Sequence, residues 1–317
     1  MARLAGQDIL SALQFSREDL LELFELAERL RREIGEKGVL DYARGKVMAT
    51  VFLEPSTRTK LSFTYAMVRL GGQVIDFDAS RSSLAKGETD VDTLRIIDGY
   101  GPDVIVLRQS KPHFPEEVAP IIRAPIINAG DGPNEHPTQA LLDVYTMWRE
   151  FGRVDGLTVG IMGDLKYGRT PSSLSYALSR FKDITIYYIA PQALQIREEV
   201  LKNIEGKVEY HLVNDLAEVI EKLDVLYVTR LQKERFKNPE EYERLKGSYR
   251  IDAAYLRRFK HIPVIMHPLP RVWELDASVD ALPQARYFEQ ARNGMFVRAA
   301  LIKEVLGLQL PDEFDLI

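Results

Sequence analysis

The run Lys46-Val47-Met48-Ala49-Thr50-Val51-Phe52-Leu53 passes directly into Glu54-Pro55-Ser56-Thr57-Arg58-Thr59-Lys60, and the architecture can be read outward from that junction. The first eight residues are too few for a helix and rich in β-formers, which predicts a buried strand. Pro55 then imposes an extended entry, Ser56 is a good N-cap, and the residues after it predict a helix over 57–70.

The same alternation recurs along the chain. Strand-like runs are predicted at 73–77, 103–107, 125–128, 157–162, 184–189, 208–213, 225–229 and 264–266, with helices at 89–100, 137–151, 170–181, 192–204 and 214–221. Upstream, Ser16 and Asp19 have capping-box spacing. They open a helix to about residue 34 whose apolar stripe is Leu20, Leu23, Phe24, Ala27, Leu30 and Ile34. A last helix is expected at about 289–306. Alternating helices and fully apolar strands predict an α/β fold of two doubly wound parallel-sheet domains. The length of 317 residues agrees with two domains. No repeat, low-complexity tract or long linker interrupts the pattern, and the helix from about 136 to 150 is a candidate bridge.

Composition removes several function classes. Lys and Arg number 42 against 47 Asp and Glu, and neither half of the chain has the positive excess of a general nucleic-acid binder. The absence of cysteine excludes disulfides, thiolate zinc sites, iron–sulfur clusters and a cysteine nucleophile. The five histidines, at 113, 136, 211, 261 and 267, form no HxH or HxxxH pair, so no metal site is expected. Gln7 and Asp8 interrupt the first apolar stretch, leaving no signal-peptide core, and no apolar run approaches a membrane span. The expectation is a cytoplasmic protein with no membrane partner.

In doubly wound folds ligands bind beyond the carboxyl ends of the strands, so the residues following each apolar run carry the chemistry. After the first strand, the hydroxyls of Ser56, Thr57 and Thr59 and the Arg58 guanidinium surround a helix N-terminus that can hold an anion. The next run ends at Arg108. The run at 125–128 leads into Asn128-Ala129-Gly130-Asp131-Gly132 and then His136-Pro137-Thr138-Gln139. Pro137 suits the first helical position, which places His136 and Gln139 at one helix end as donors for a carbonyl or phosphate oxygen. Each of these also has a plain structural reading as a helix cap.

Gly163-Asp164-Leu165-Lys166-Tyr167-Gly168-Arg169-Thr170 lies one residue away from a phosphate-binding P-loop. Arg169 occupies the lysine position, however, and no later strand ends in the aspartate that would hold Mg²⁺. Its planar fork suits a carboxylate better. Arg230 and Gln232 follow the strand at 225–229. His267-Pro268-Leu269-Pro270-Arg271 is extended and stiff, so its carbonyls are available as acceptors. The loop Ser82-Ser83-Leu84-Ala85-Lys86-Gly87-Glu88 reads, by itself, as polar surface. Four arginines at strand ends in a net-acidic protein indicate a site for polyanionic substrates. No nucleophile or strong general base accompanies them, so the implied chemistry is positioning and electrostatic stabilisation.

Ser56-Thr57-Arg58-Thr59, His136-Pro137-Thr138-Gln139, the 163–170 loop, Arg230-Leu231-Gln232 and His267-Pro268-Leu269-Pro270 together resemble the transcarbamylase family, in order and over the whole chain. The resemblance implies a carbamoyl-phosphate-binding domain, 1–136 plus about 289–317, and an aspartate-binding domain, 137–288, joined by two helices. It implies transfer of the carbamoyl group of carbamoyl phosphate to the α-amino group of L-aspartate, giving N-carbamoyl-L-aspartate and phosphate for pyrimidine biosynthesis. No cofactor is implied. By motif match Ser56, Thr57, Arg58 and Thr59 hold the phosphate. Thr59, Arg108 and His136 polarise the carbamoyl oxygen, while Gln139 and the carbonyls of Leu269 and Pro270 orient its amino group. Lys86, Arg169, Arg230 and Gln232 bind aspartate. In the family the loop holding Ser83 and Lys86 reaches a neighbouring subunit's site, which implies a homotrimer with shared active sites and replaces the surface reading of Lys86.

The resemblance leaves open whether regulatory or dihydroorotase chains associate. Two other readings stand beside it. An ornithine-type or other amino-acid transcarbamylase is opposed by the absence of the cysteine that the ornithine branch carries in its HCLP segment. A non-catalytic regulatory homologue would be expected to lack some of these side chains.

Overall fold

Helix α1 (Arg17–Lys37) starts at the box its sequence announces: Ser16 Oγ accepts from Asp19 N at 3.1 Å, and the Asp19 carboxylate accepts from Ser16 N at 2.8 Å. All six residues of its apolar stripe are buried. Gly38, at φ 77°, ends it by donating to Ile34 O, a backbone conformation that glycine adopts without steric cost.

The computed structural model describes residues 2–77, 87–231, 238–246 and 249–310. The chain divides into two units, residues 1–138 with 294–317 and residues 139–293. In the first, β1 (Val47–Phe52), α2 (Thr57–Arg69), β2 (Gln73–Phe77), α3 (Asp90–Gly99), β3 (Val104–Gln109), α4 (Phe114–Val118) and β4 (Ile126–Asp131) follow one another. The four strands form a parallel sheet in the order β2-β1-β3-β4. β3 and β4 are buried throughout, as in a sheet covered on both faces, with apolar residues first and polar ones toward their carboxyl ends. Ala49, Val51, Ile105, Leu107 and Ile126 form one core with Leu94, Phe114 and Val118. Ile9 extends the order by pairing with Ile127 of β4.

α5 (Pro137–Phe151) contains the division between the units. The second unit continues with β5 (Thr158–Met162), α6 (Arg169–Leu178), β6 (Thr185–Ile189), α7 (Glu198–Ile204), β7 (Glu209–Val213), β8 (Val225–Val228), α8 (Pro239–Lys246), α9 (Ala253–Leu256) and β9 (Val264–Met266), and α10 (Tyr287–Val305) contains the second division, passing to the first unit at Gly294. Its five strands are parallel in the order β7-β6-β5-β8-β9. The doubly wound α/β expectation is met twice.

Strand order also fixes where ligands can sit. In the first sheet the chain builds outward from β1 to β2, then crosses to the other side of β1 to lay down β3. In the second it builds from β5 through β6 and β7, then crosses β5 to lay down β8. The crevices at the carboxyl ends of β1/β3 and of β5/β8 are therefore the topological switch points, where doubly wound sheets bind ligands.

Two predicted helices change form. Over 192–204 only α7 is α-helical. After the 3-10 turn Gln192–Leu194 the backbone extends at Gln195 and Arg197, and the Gln195 amide bonds back to Tyr188 O at 3.2 Å. Residues 214–221 become two 3-10 turns, Leu216–Glu218 and Ile220–Lys222. Asp215 caps Ala217 N, Val219 breaks the run, and the segment is too short to propagate an α-helix. Among the described residues no helix is long and apolar enough to cross a membrane.

Candidate active site

At the β1/β3 switch point, Ser56 is extended (φ −159°) and makes no capping hydrogen bond, so its hydroxyl is not spent on the helix it begins. Thr57 and Arg58 are exposed in the first turn of α2, and Thr59 is buried. The first-turn N–H groups and positive dipole end of a helix favour an anion beside them. Phe52 pairs in register with Arg108 on β3. Arg108 is 7% exposed, and its guanidinium donates to Ala129 O at 3.1 Å and to Glu54 Oε1 at 3.2 Å. Those two contacts hold its plane fixed.

His136 reaches the same place from the loop after β4. Its Nε2 lies 3.4 Å from Thr59 Oγ1, and both residues are buried. Asp131 organises this loop: one carboxylate oxygen accepts from Asn128 Nδ2 and Glu135 N, the other from His113 N and Asn134 Nδ2. Gly132 is required where it stands, since at φ 58° a Cβ would lie 2.1 Å from Ser110 O. The donor atoms of His113, Glu116 and Asp131 lie within 4.8 Å of one another. With both Asp131 oxygens already engaged, the group reads as the loop's internal bonding rather than a metal cage.

Glu135, just before His136, is buried and bonded to Ser11 Oγ at 2.5 Å and Ala12 N at 3.0 Å. Burial pushes its carboxyl up to about 7, against the lowering effect of those two donors, while the nearby charges of Asp131 and Glu116 add to the rise.

The second unit places its groups at the β5/β8 switch point. Gly163, at φ 128°, passes so near β8 that a Cβ would lie 2.3 Å from Thr229 O. Asp164 is fully buried and accepts from Tyr167 N, closing the turn that leads to Arg169 at the start of α6. Arg230 follows the end of β8. Arg169 and Arg230 are both partly exposed.

After β9, the Leu269–Pro270 peptide is cis, and Leu269 sits at φ 54°. Leu269 N donates to His267 Nδ1 at 2.7 Å. The imidazole Nδ1 is therefore an acceptor and the proton lies on Nε2, facing Glu274. Gln139, in the first turn of α5, donates to Asp143 at 2.8 Å. Ser83, Lys86 and Gln232 lie outside the described residues.

The structure thus brings together Ser56–Thr59, Arg108 and His136 at one switch point, and Arg169 and Arg230 at another. The partners that hold them, Glu54 and Asp143, were not singled out from sequence. Asp143 had a usable signal, because Gln139 and Asp143 are four apart on one helix. Glu54 had none, being 54 residues from Arg108.

Two parallel α/β units, each with cationic groups at its switch point, define a protein built to handle two anionic small molecules. Residues 7–149 match the family description "Aspartate/ornithine carbamoyltransferase, carbamoyl-P binding domain", and residues 155–305 match "Aspartate/ornithine carbamoyltransferase, Asp/Orn binding domain". The chain belongs to the aspartate/ornithine carbamoyltransferase family.

Similar proteins include the aspartate carbamoyltransferase catalytic subunit of Thermococcus onnurineus, 48% identical over 96% of this chain and 98% of that one. That of Pyrobaculum calidifontis is 50% identical over 95% and 98%. Among solved structures, aspartate transcarbamoylase from Trypanosoma cruzi in complex with carbamoyl phosphate and aspartate superposes with a TM-score of 0.91. It is 45% identical and covers 96% of this chain and 98% of that one.

Proposed function

We propose that this chain transfers the carbamoyl group of carbamoyl phosphate to the α-amino group of L-aspartate, releasing N-carbamoyl-L-aspartate and phosphate. The carrying observation is buried Thr59, its hydroxyl 3.4 Å from Nε2 of buried His136, with buried Arg108 at the same switch point as the N-terminus of α2. Ser56, Thr57, Arg58 and Thr59 bind the phosphate. The carbamoyl oxygen lies against Thr59, Arg108 and His136, and its amino group donates to Gln139 and to the carbonyls of Leu269 and Pro270. Arg169 and Arg230, with Gln232, bind the two aspartate carboxylates bidentately.

The neutral α-amino group of aspartate attacks the carbamoyl carbon. The C–O double bond opens to a tetrahedral oxyanion, which the three donors stabilise, each contributing about 3–4 kcal/mol. The carbon–oxygen bond to phosphate then breaks, and the departing phosphate takes the ammonium proton. No covalent enzyme intermediate forms.

The working unit is a cytoplasmic homotrimer in which Ser83 and Lys86 of one subunit serve a neighbour's site. An uncovered apolar face on the first unit supports a subunit contact. Leu61, Tyr65 and Val68 lie at helical spacing along α2, and Ile75 lies on edge strand β2, all exposed. Carbamoylation of aspartate against ornithine, with native mass measurement, tests the reading. Preference for ornithine, or no turnover from a folded oligomer, overturns it.

A further inference from the structure

We infer that Asp143 is a positioning residue that fixes the polarity of the amides serving the carbamoyl amino group, an inference that rests on the function proposed above. Asp143 is fully buried in the second turn of α5. Its Oδ1 accepts from Gln139 Nε2 at 2.8 Å and from Gln290 Nε2 at 2.7 Å, and its Oδ2 accepts from Tyr227 O–H at 2.7 Å.

The chemistry follows from what a carboxylate can do. An ionised carboxylate only accepts, whereas a primary amide presents a donor at one end and an acceptor at the other. Gln139 must therefore turn its NH2 toward Asp143, which leaves its carbonyl oxygen as the outward group. That is the end a carbamoyl NH2 needs, because this substrate group has hydrogens to donate. The phosphate-side groups at Ser56–Thr59 face the opposite requirement and supply donors.

Gln290 is oriented in the same way. With its NH2 on Asp143, its carbonyl Oε1 accepts from His267 N at 2.9 Å. His267 in turn receives the Leu269 N–H on Nδ1. One carboxylate thus sets the direction of Gln139 and, through Gln290, anchors the segment carrying the Leu269 and Pro270 carbonyls. Tyr227 secures the other oxygen. Burial first, and then the Asp143 charge, raise its phenol well above the usual value, which keeps it a donor. Without Asp143 either amide can invert, and an inverted Gln139 would point a donor at a donor.

The test uses the full-length enzyme and acetyl phosphate, an acyl phosphate with a methyl group in place of the amino group. Asp143→Ala should raise KM for carbamoyl phosphate roughly ten-fold or more, as loss of about one hydrogen bond's discrimination predicts. KM for aspartate should change by less than about two-fold, well below that one-bond effect. The ratio of the acetyl phosphate Ki to the carbamoyl phosphate KM should fall correspondingly. Asp143→Asn, which keeps an acceptor at Oδ1, should recover most of that ratio. If Asp143→Ala does not fold, Asp143→Asn and Gln290→Ala decide: the inference requires a reduced ratio in Gln290→Ala and a nearly intact one in Asp143→Asn.

An unchanged ratio in a folded Asp143→Ala, with only kcat reduced, overturns the inference. So does an Asn variant no better than Ala, or Gln290→Ala with wild-type discrimination. Wild-type enzyme that fails to carbamoylate aspartate would instead overturn the proposed function.

Discussion

The imidazole Nε2 of His267 stands 2.8 Å from Glu274 Oε1, and both side chains are buried to within 2% of completeness. The ring donates to the carboxylate on one side and accepts from Leu269 N on the other. Glu274 also accepts from Val272 N. Burial alone would raise this carboxyl, but the His267 and backbone donors hold it below its usual range. Glu274→Ala leaves a buried N–H without its acceptor, which costs about 1–3 kcal/mol. The urea midpoint should fall accordingly, and carbamoyl phosphate should bind more weakly. Glu274→Gln keeps an acceptor and should restore most of both. An alanine variant with wild-type stability would show that the pair holds nothing in place.

Arg58 is exposed in the first turn of α2, so its removal leaves the fold's core untouched. Arg58→Ala should retain the wild-type circular dichroism spectrum and melting transition while kcat drops by about 10²–10³-fold, the usual consequence of deleting one preorganised cation or donor. Near-normal turnover would remove Arg58 from the site.

Glu135 gives the protein a defined pH dependence. Its folded pKa of about 7 exceeds the ordinary glutamate value of 4.5, so between these values the native state binds more protons than the unfolded chain. Stability from this group is therefore full below about pH 4.5 and is lost as pH rises through about 7, by roughly 3 kcal/mol in all. Glu135→Gln should remove that fall. Plotted as variant minus wild type, denaturation free energy should rise between pH 5 and 8; a flat difference contradicts the assignment.

Shared sites predict complementation. Lys86→Ala and Arg58→Ala chains, each severely impaired alone, should recover activity when dissociated and reassembled together, because some sites then draw an intact residue from each subunit. Verified subunit exchange with no recovered turnover would place both residues in one chain's site.

The parallel strands were legible because burial on both faces demands short, largely apolar runs, as in Val47–Phe52 of β1 and 104–107 of β3. The cationic and hydroxyl groups were legible because they directly follow such runs. Short elements were not. α4 is one turn that buries Phe114 and Val118 in the sheet's core, and no periodicity can accumulate over five residues. The 192–204 segment failed for a related reason, since a side-chain bond from Gln195 outweighed its helical spacing. Contacts such as Tyr227 with Asp143, 84 residues apart, leave no local trace.

The division of the chain, with residues 294–317 returning to the first unit, has a consequence for biosynthesis. Arg298 bonds Ser62 and Thr138 and lies over Phe63, and Val305 O receives Gly6 N. All of these partners precede that segment in the chain, with the whole of the inserted unit translated between them and it. The inserted unit has every one of its strands before then. Although the domain translated first generally folds first, here the unit whose strands come earlier in the chain is the one completed second.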